Sequence, residues 1–182
     1  MKRALVVAHP DDESLFFGGL LIAHPGDWTV ICCSIPRADP VRAWKFFDAC
    51  AVLGAQGRLI PMPEPEKDQS FAGNLAWLDL SAYDMIVTHN ACGEYGHPHH
   101  VAVNRHIVHH WHDHMITGGY GKAEAPHRIV LDAGQLARKH GALHCYDHVS
   151  TKDNGKPKWQ ALLDRYGPQF DLGIETYDRA VA

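Results

Sequence analysis

Nothing in this chain approaches the run of ~20 apolar residues that crossing a bilayer requires. Nor does a signal-peptide pattern precede the first strand-like segment, so a soluble, cytoplasmic protein without membrane partners is expected. Charge is sparse. Charged residues make up 21% of the chain and the formal net charge is −4, which leaves no basic footprint for nucleic acid or an anionic surface and favours small neutral or cationic substrates. Cysteine is scarce and unpaired in pattern: Cys32, Cys33, Cys50, Cys92 and Cys145 are odd in number and include no CxxC. Reduced, mostly buried thiols are expected rather than a disulfide framework. Neither GxGxxG nor GxxxxGK[ST] follows the first strand-like segment, so dinucleotide and P-loop readings lack their main signature.

Histidine, by contrast, is abundant. The chain has 15, and His97, His99, His100, His106, His109, His110, His112 and His114 crowd one stretch. Imidazole is the commonest side-chain metal ligand, so this crowding calls for a chemical explanation.

Hydropathy patterning gives an alternation of strands and helices. RALVVA (3–8) reads as a buried parallel strand, and LFFGGLLIAH (15–24) as a helix whose N-terminus is marked by Pro10, Asp11, Asp12 and Glu13. WTVICC (28–33), residues 58–60, 85–88 and 129–131 supply further strands. Helices are predicted over about 39–53, closed by Gly54, over about 99–114, and over 158–166. The Pro-rich PMPEPEKDQ (61–69) is a loop of the kind that overhangs a site. Such alternation predicts one α/β domain over 1–182, a Rossmann-like three-layer sandwich with a mostly parallel central sheet. Ligands of such sheets gather at the carboxyl ends of the strands, near a switch point.

Two polar segments fall at that edge. His9-Pro10-Asp11-Asp12-Glu13 follows the first strand, and Gly93-Glu94-Tyr95-Gly96-His97-Pro98-His99-His100 follows the fourth. Taken singly, the first could be a carboxylate-capped helix start and the second a solvated histidine turn. Together they offer two nitrogen ligands and a carboxylate with coordination positions left open, the pattern of a catalytic rather than a structural zinc site.

HPDDE after a first apolar strand, with GEYGHPHHV after a later one, resembles the PIG-L/LmbE family of deacetylases, which remove acetyl groups from N-acetylglucosaminyl compounds. Looser matches are Arg42 followed by ACAVLG (49–54), and ALHCY (142–146). The resemblance implies that His9, Asp12 and His100 hold Zn²⁺, with Fe²⁺ as the alternative ion. It also implies that Asp11 is the base that deprotonates water, that His97 stabilises the substrate carbonyl and donates a proton, and that Tyr95 adds a hydrogen bond to the oxyanion. The implied partner is a small-molecule amino-sugar substrate, and a homo-oligomer is compatible with the sequence.

Three features depart from the family pattern. His99 stands where relatives often carry aspartate or glutamine, the SIPRADP loop (34–40) is short, and Lys45 replaces a usual glutamate. Arg37 and Arg42 are candidates for gripping substrate hydroxyls or a phosphate. His106 and His110, one helical turn apart, could chelate a surface metal. Gly18-Gly19 reads as helix packing rather than phosphate binding, and the five tryptophans read mostly as core residues. Competing functions are a non-haem Fe(II) facial-triad enzyme, an amidase acting on a non-sugar amide, and a non-catalytic binding module. Asp11, a spare base beside the ligands, favours hydrolysis over oxygenation.

Overall fold

The structure is a computed structural model that describes residues 1–37, 39–66, 69–111, 115–118, 125–149, 155–166 and 171–178. Five short strands form an all-parallel central sheet: β1 (Lys2–Val7), β2 (Asp27–Cys32), β3 (Gln56–Leu59), β4 (Met85–Thr88) and β5 (Met115–Thr117), in the order β3-β2-β1-β4-β5. Strand β1 pairs with β2 from Lys2↔Asp27 to Val7↔Cys32 and with β4 from Arg3↔Met85 to Val6↔Thr88. Side chains alternate across it. Leu5 and Val7 enter one core with the helices α1 (Asp12–Ala23), α2 (Pro40–Leu53) and α6 (Ala133–His144). Ala4 and Val6 enter a second core with α3 (Ala72–Leu75) and α5 (Pro98–Trp111). Both sheet faces are thus covered, giving the three-layer α/β sandwich, and the near-continuous apolar strands are what burial on both faces demands.

The predicted fifth strand at 129–131 requires correction. The fifth strand of the central sheet is β5, whereas β6 (His127–Val130) pairs antiparallel with β7 (Ile174–Tyr177) in a separate two-stranded ribbon. Strand β5 is three residues long behind a histidine-rich helix, too short for period-two alternation to show. Helix α6 is an element that the hydropathy pattern does not predict, although Asp132 and Gln135 form a capping box at its start. The short helix α4 (Gly93–Gly96) leads into α5, and α7 (Lys158–Tyr166) spans the range expected from sequence. Helix α5 is described to Trp111, so predicted helical residues His112 and His114 lie outside the described residues.

Helix α1 is buried on all sides. Gly18 and Gly19 let it pack closely, since a Cβ on Gly19 would lie 2.8 Å from the Glu175 carboxylate. That carboxylate accepts the Gly19 and Leu20 N–H groups at 2.6 and 2.7 Å and pairs with Lys139 Nζ at 2.6 Å. The packing reading of the glycine pair is therefore the correct one. Trp28 and Trp159 are in the core, but Trp44 and Trp77 are 73% and 60% exposed, against expectation. All five cysteines are free, three of them buried. Among the described residues no helix is long and apolar enough to cross a membrane.

Candidate active site

Strand order places the site. The chain runs β1-β2-β3 outward in one direction and then returns to lay β4 on the other side of β1. The crevice at the carboxyl ends of β1 and β4 is the topological switch point, where doubly wound sheets bind ligands. His9 to Asp12 leave β1 there, and His89 to His100 leave β4.

The turn after β1 is strained. Asp11 is the N-cap of α1 yet has φ 119°, and its carboxylate makes no cap bond; non-glycine residues hold such angles only where surroundings enforce them. Two groups do so. Glu13 Oε2 accepts the Asp11 N–H at 3.0 Å, while its Oε1 accepts Ser14 Oγ–H and Tyr146 Oη–H, each at 2.7 Å. Arg42 donates from Nε to the Pro10 carbonyl at 2.7 Å and from Nη2 to Asp11 Oδ1 at 2.5 Å. The carboxylates here are therefore not a simple helix cap. Burial lifts the Asp11 carboxyl above its ordinary range, with Arg42 opposing, and burial lifts Glu13 to about 7.

Three ligand-type atoms converge beside this turn. His9 Nδ1 lies 3.3 Å from Asp12 Oδ2, His100 Nε2 lies 3.4 Å from the same oxygen, and the two nitrogens are 3.3 Å apart. Ligands about 2.05 Å from a tetrahedral ion lie about 3.3–3.4 Å from one another, while octahedral neighbours at the same reach lie about 2.9 Å apart. The triangle thus fits one face of a tetrahedral centre. All three residues are buried, and the space beside them, lined by His9, Asp11, Asp12, Tyr95, His97 and Lys158, amounts to about 20 Å³, enough for one water-sized body.

Hydrogen bonds set the imidazole tautomers. His100 Nδ1 donates to Glu94 Oε2 at 2.7 Å, which turns its Nε2 to the triangle. Glu94 also takes His89 Nδ1 at 3.0 Å and the Asn90 N–H at 3.1 Å. A metal-ligating histidine usually has its second nitrogen held by such a carboxylate. Although burial opposes ionisation, the His89 and His100 rings bring Glu94 down to about 2. His89 belongs to another grouping with metal-ligand potential, together with Asp12 and His100. Its Nε2, however, accepts the Ala8 N–H at 3.0 Å and has no lone pair to spare. The bend that delivers Glu94 puts Gly93 at φ 67° and Glu94 itself at φ 56°; a Cβ on Gly93 would stand 2.8 Å from Val101.

The remaining predicted residues surround this centre. The His97 ring lies 4.7 Å from those of His9 and His100, and its Nδ1 accepts the His99 N–H at 3.3 Å, which leaves the proton on Nε2. Burial and the His100 ring lower His97 to about 3, so it is neutral near pH 7, and no carboxylate is hydrogen-bonded to it among the described residues. Tyr95 lines the cavity and stacks on Tyr166 of α7 at 5.5 Å. Arg42 is committed to Asp11 and Pro10, whereas exposed Arg37 lines an adjoining cleft of about 330 Å³ with Glu64 and Glu66. His99 is buried, with Nδ1 2.9 Å from His9 Nε2. His106 and His110 meet on α5 with ring centres 4.6 Å apart. Sequence reasoning does not single out Glu13, Glu94, His89, Glu64 or Lys158; only Glu13 and Glu94, inside the two motifs, carry a signal.

No protein-family model matches the chain. Uncharacterized protein L374 of Acanthamoeba polyphaga mimivirus is 27% identical over 128 residues, 57% of this chain and 55% of that protein. The chain therefore spans about half the length of that curated relative. Among solved structures, the A40926 pseudoaglycone deacetylase Dbv21 is 18% identical with a TM-score of 0.65, covering 100% of this chain and 98% of that one. The conserved protein TT1542 from Thermus thermophilus is 16% identical with a TM-score of 0.67 over 100% and 95%. GalB, the 4-carboxy-2-hydroxymuconate hydratase from Pseudomonas putida, is 15% identical with a TM-score of 0.57 over 100% and 99%. At these identities the likeness is one of fold: this chain has the three-layer α/β architecture on which both a deacetylase and a hydratase are built.

Proposed function

We propose that this chain is a zinc-dependent hydrolase that removes an N-acetyl or related N-acyl group from an amino-sugar derivative, with His9, Asp12 and His100 as the metal ligands. The ligand triangle of 3.3, 3.4 and 3.3 Å, with Asp11 standing beside it, is the observation that carries this reading. Its spacing is nearer tetrahedral than octahedral, which favours zinc over the iron of a facial triad. The deacetylases that share the fold, and the HPDDE and GEYGHPHH motifs, support the same assignment.

When bound, zinc supplies Lewis acidity, lowering the pKa of a water to roughly 7 and polarising an amide carbonyl. Asp11 does the proton work. Arg42 engages its Oδ1, which leaves Oδ2 to take the proton of the attacking water. As the amide carbon becomes tetrahedral, His97 offers a hydrogen bond from Nε2–H, and Tyr95 borders the same space. The proton held by Asp11 then passes to the leaving nitrogen, the C–N bond breaks, and acetate and a free amine result. Glu94 keeps the ligating nitrogen of His100 directed at the centre.

Acetate release from a panel of N-acetylglucosamine conjugates by zinc-reconstituted protein tests the reaction. Asp11→Asn is expected to retain zinc and lose about 10³-fold or more in kcat, whereas His100→Ala loses zinc as well. Undiminished turnover in Asp11→Asn sinks the mechanism. The likeness to GalB motivates a second reading, water addition to a conjugated dicarboxylate; loss of the substrate's ultraviolet absorbance without acetate release would establish it instead.

A further inference from the structure

We propose that the chain carries a second divalent-cation site, formed by His9, His99 and Glu64, whose filling inhibits the enzyme. It rests on the assignment of His9 to the first centre. His9 Nε2, the nitrogen turned away from the ligand triangle, lies 2.9 Å from His99 Nδ1 and 3.4 Å from Glu64 Oε1; these last two atoms are 4.0 Å apart. A circle through three points at those separations has a radius of about 2.0 Å, the bond length of zinc to imidazole nitrogen or carboxylate oxygen. A cation at that centre stands within zinc-bond distance of all three atoms. Two imidazoles and a carboxylate are ligands for zinc rather than for magnesium or calcium.

The three groups are held independently. His99 sits in the first turn of α5 and is buried, its ring stacked on Phe71 at 4.8 Å. Glu64 comes from the Pro-rich loop, which the Glu64 N–H ties to the Ile35 carbonyl at 2.8 Å. Its side chain is 30% exposed, so an ion can arrive from solvent. Because Glu64 borders both the small cavity beside the first centre and the outer cleft, an ion it holds stands in the passage between them. With no ion there, His9 Nε2–H donates to His99. Binding replaces that hydrogen bond, and the Nε2 proton leaves to solvent. His9 then bridges two cations through its two nitrogens, which draws electron density from the first centre while the passage is blocked.

Calorimetric zinc titration of the metal-free protein, with acetate release followed at each ratio, tests this. Wild type is expected to bind two zinc ions per chain, the second more weakly, with activity highest near one equivalent and falling as the second binds. Glu64→Gln and His99→Gln should each weaken the second equivalent by about tenfold or more while retaining the first. The doubly substituted His106→Gln/His110→Gln protein, which lacks the surface pair on α5, should still bind two. Saturation of wild type at one equivalent overturns the proposal. So does a second equivalent that survives both Glu64→Gln and His99→Gln, or one that vanishes with His106 and His110. If no zinc binds at all, the first centre falls and this site falls with it; one active equivalent without a second overturns this site alone.

Discussion

Asp11 and Glu94 are the two non-glycine residues at positive φ among those described, and both belong to the candidate site. Each such conformation costs on the order of 1–3 kcal/mol and persists where neighbours over-determine it. At Asp11 the neighbours are Glu13 and Arg42, so their loss should be felt in chemistry before metal binding. Glu13→Gln keeps an acceptor for the Asp11 N–H and should keep most of the turnover. Glu13→Ala should lower kcat about tenfold or more at unchanged zinc content; equal kcat in the two variants would deny Glu13 this role. Glu94→Gln removes the anion behind His100, and zinc affinity by chelator competition should fall about 10–100-fold. His100 carries a pH signature of its own. Burial works against its charge, but Asp12 and Glu94 raise it to about 10. In metal-free protein its stabilisation is therefore complete below about pH 6.5 and lost as pH rises toward 10. The unfolding temperature should decline across that window while zinc affinity rises, and His100→Gln should flatten both slopes. The proposed ligand atoms are legible in sequence because HPDDE and GEYGHPHH are local. His89 and Lys158 are not: their place at the site depends on where β4 ends and how α7 returns over the cavity.

Helix α1 shows how an element can be read correctly and its surroundings missed. Its apolar run is plain in sequence, but the reason for Gly18-Gly19 is a carboxylate from a strand 156 residues away. Gly19→Ala puts a methyl 2.8 Å from that carboxylate and should destabilise by about 1–3 kcal/mol in thermal unfolding. Lys139→Met leaves Glu175 buried without its cation and should cost about 3–5 kcal/mol; a loss below about 1 kcal/mol would mean the ion pair is dispensable. Helix α2 gives the opposite lesson. Val41, Trp44 and Phe47 recur at near-helical spacing yet are 50%, 73% and 39% exposed. Periodicity marks a face without saying which way it turns. Strand β6 is read as a strand but placed in the wrong sheet, and β7 escapes detection, because each is four residues long and finds its partner far along the chain.

At the scale of the whole molecule, the strand order does the work that neither motif could. Residues 9–12 and 89–100 meet because β1 lies between β2 and β4, and the expected parallel sheet with its reactive edge is legible from the alternation of elements. An ion held by groups from both sides of the switch point should therefore clamp the two halves of the sheet. Saturating zinc at about a thousandfold over its dissociation constant should stabilise the protein by about 4 kcal/mol, and a chelator should remove that gain in a thermal melt. The grip of Glu175 on the middle of α1 also has a temporal side. A ribosome makes α1 before β7, the last of the described strands, so the helix that presents Asp12 waits for a carboxylate 156 residues away that bonds Gly19 and Leu20. Until then the nascent chain carries the proposed ligands on an unfinished support, and competence to bind metal is expected to follow the synthesis of β7 rather than that of the ligands themselves.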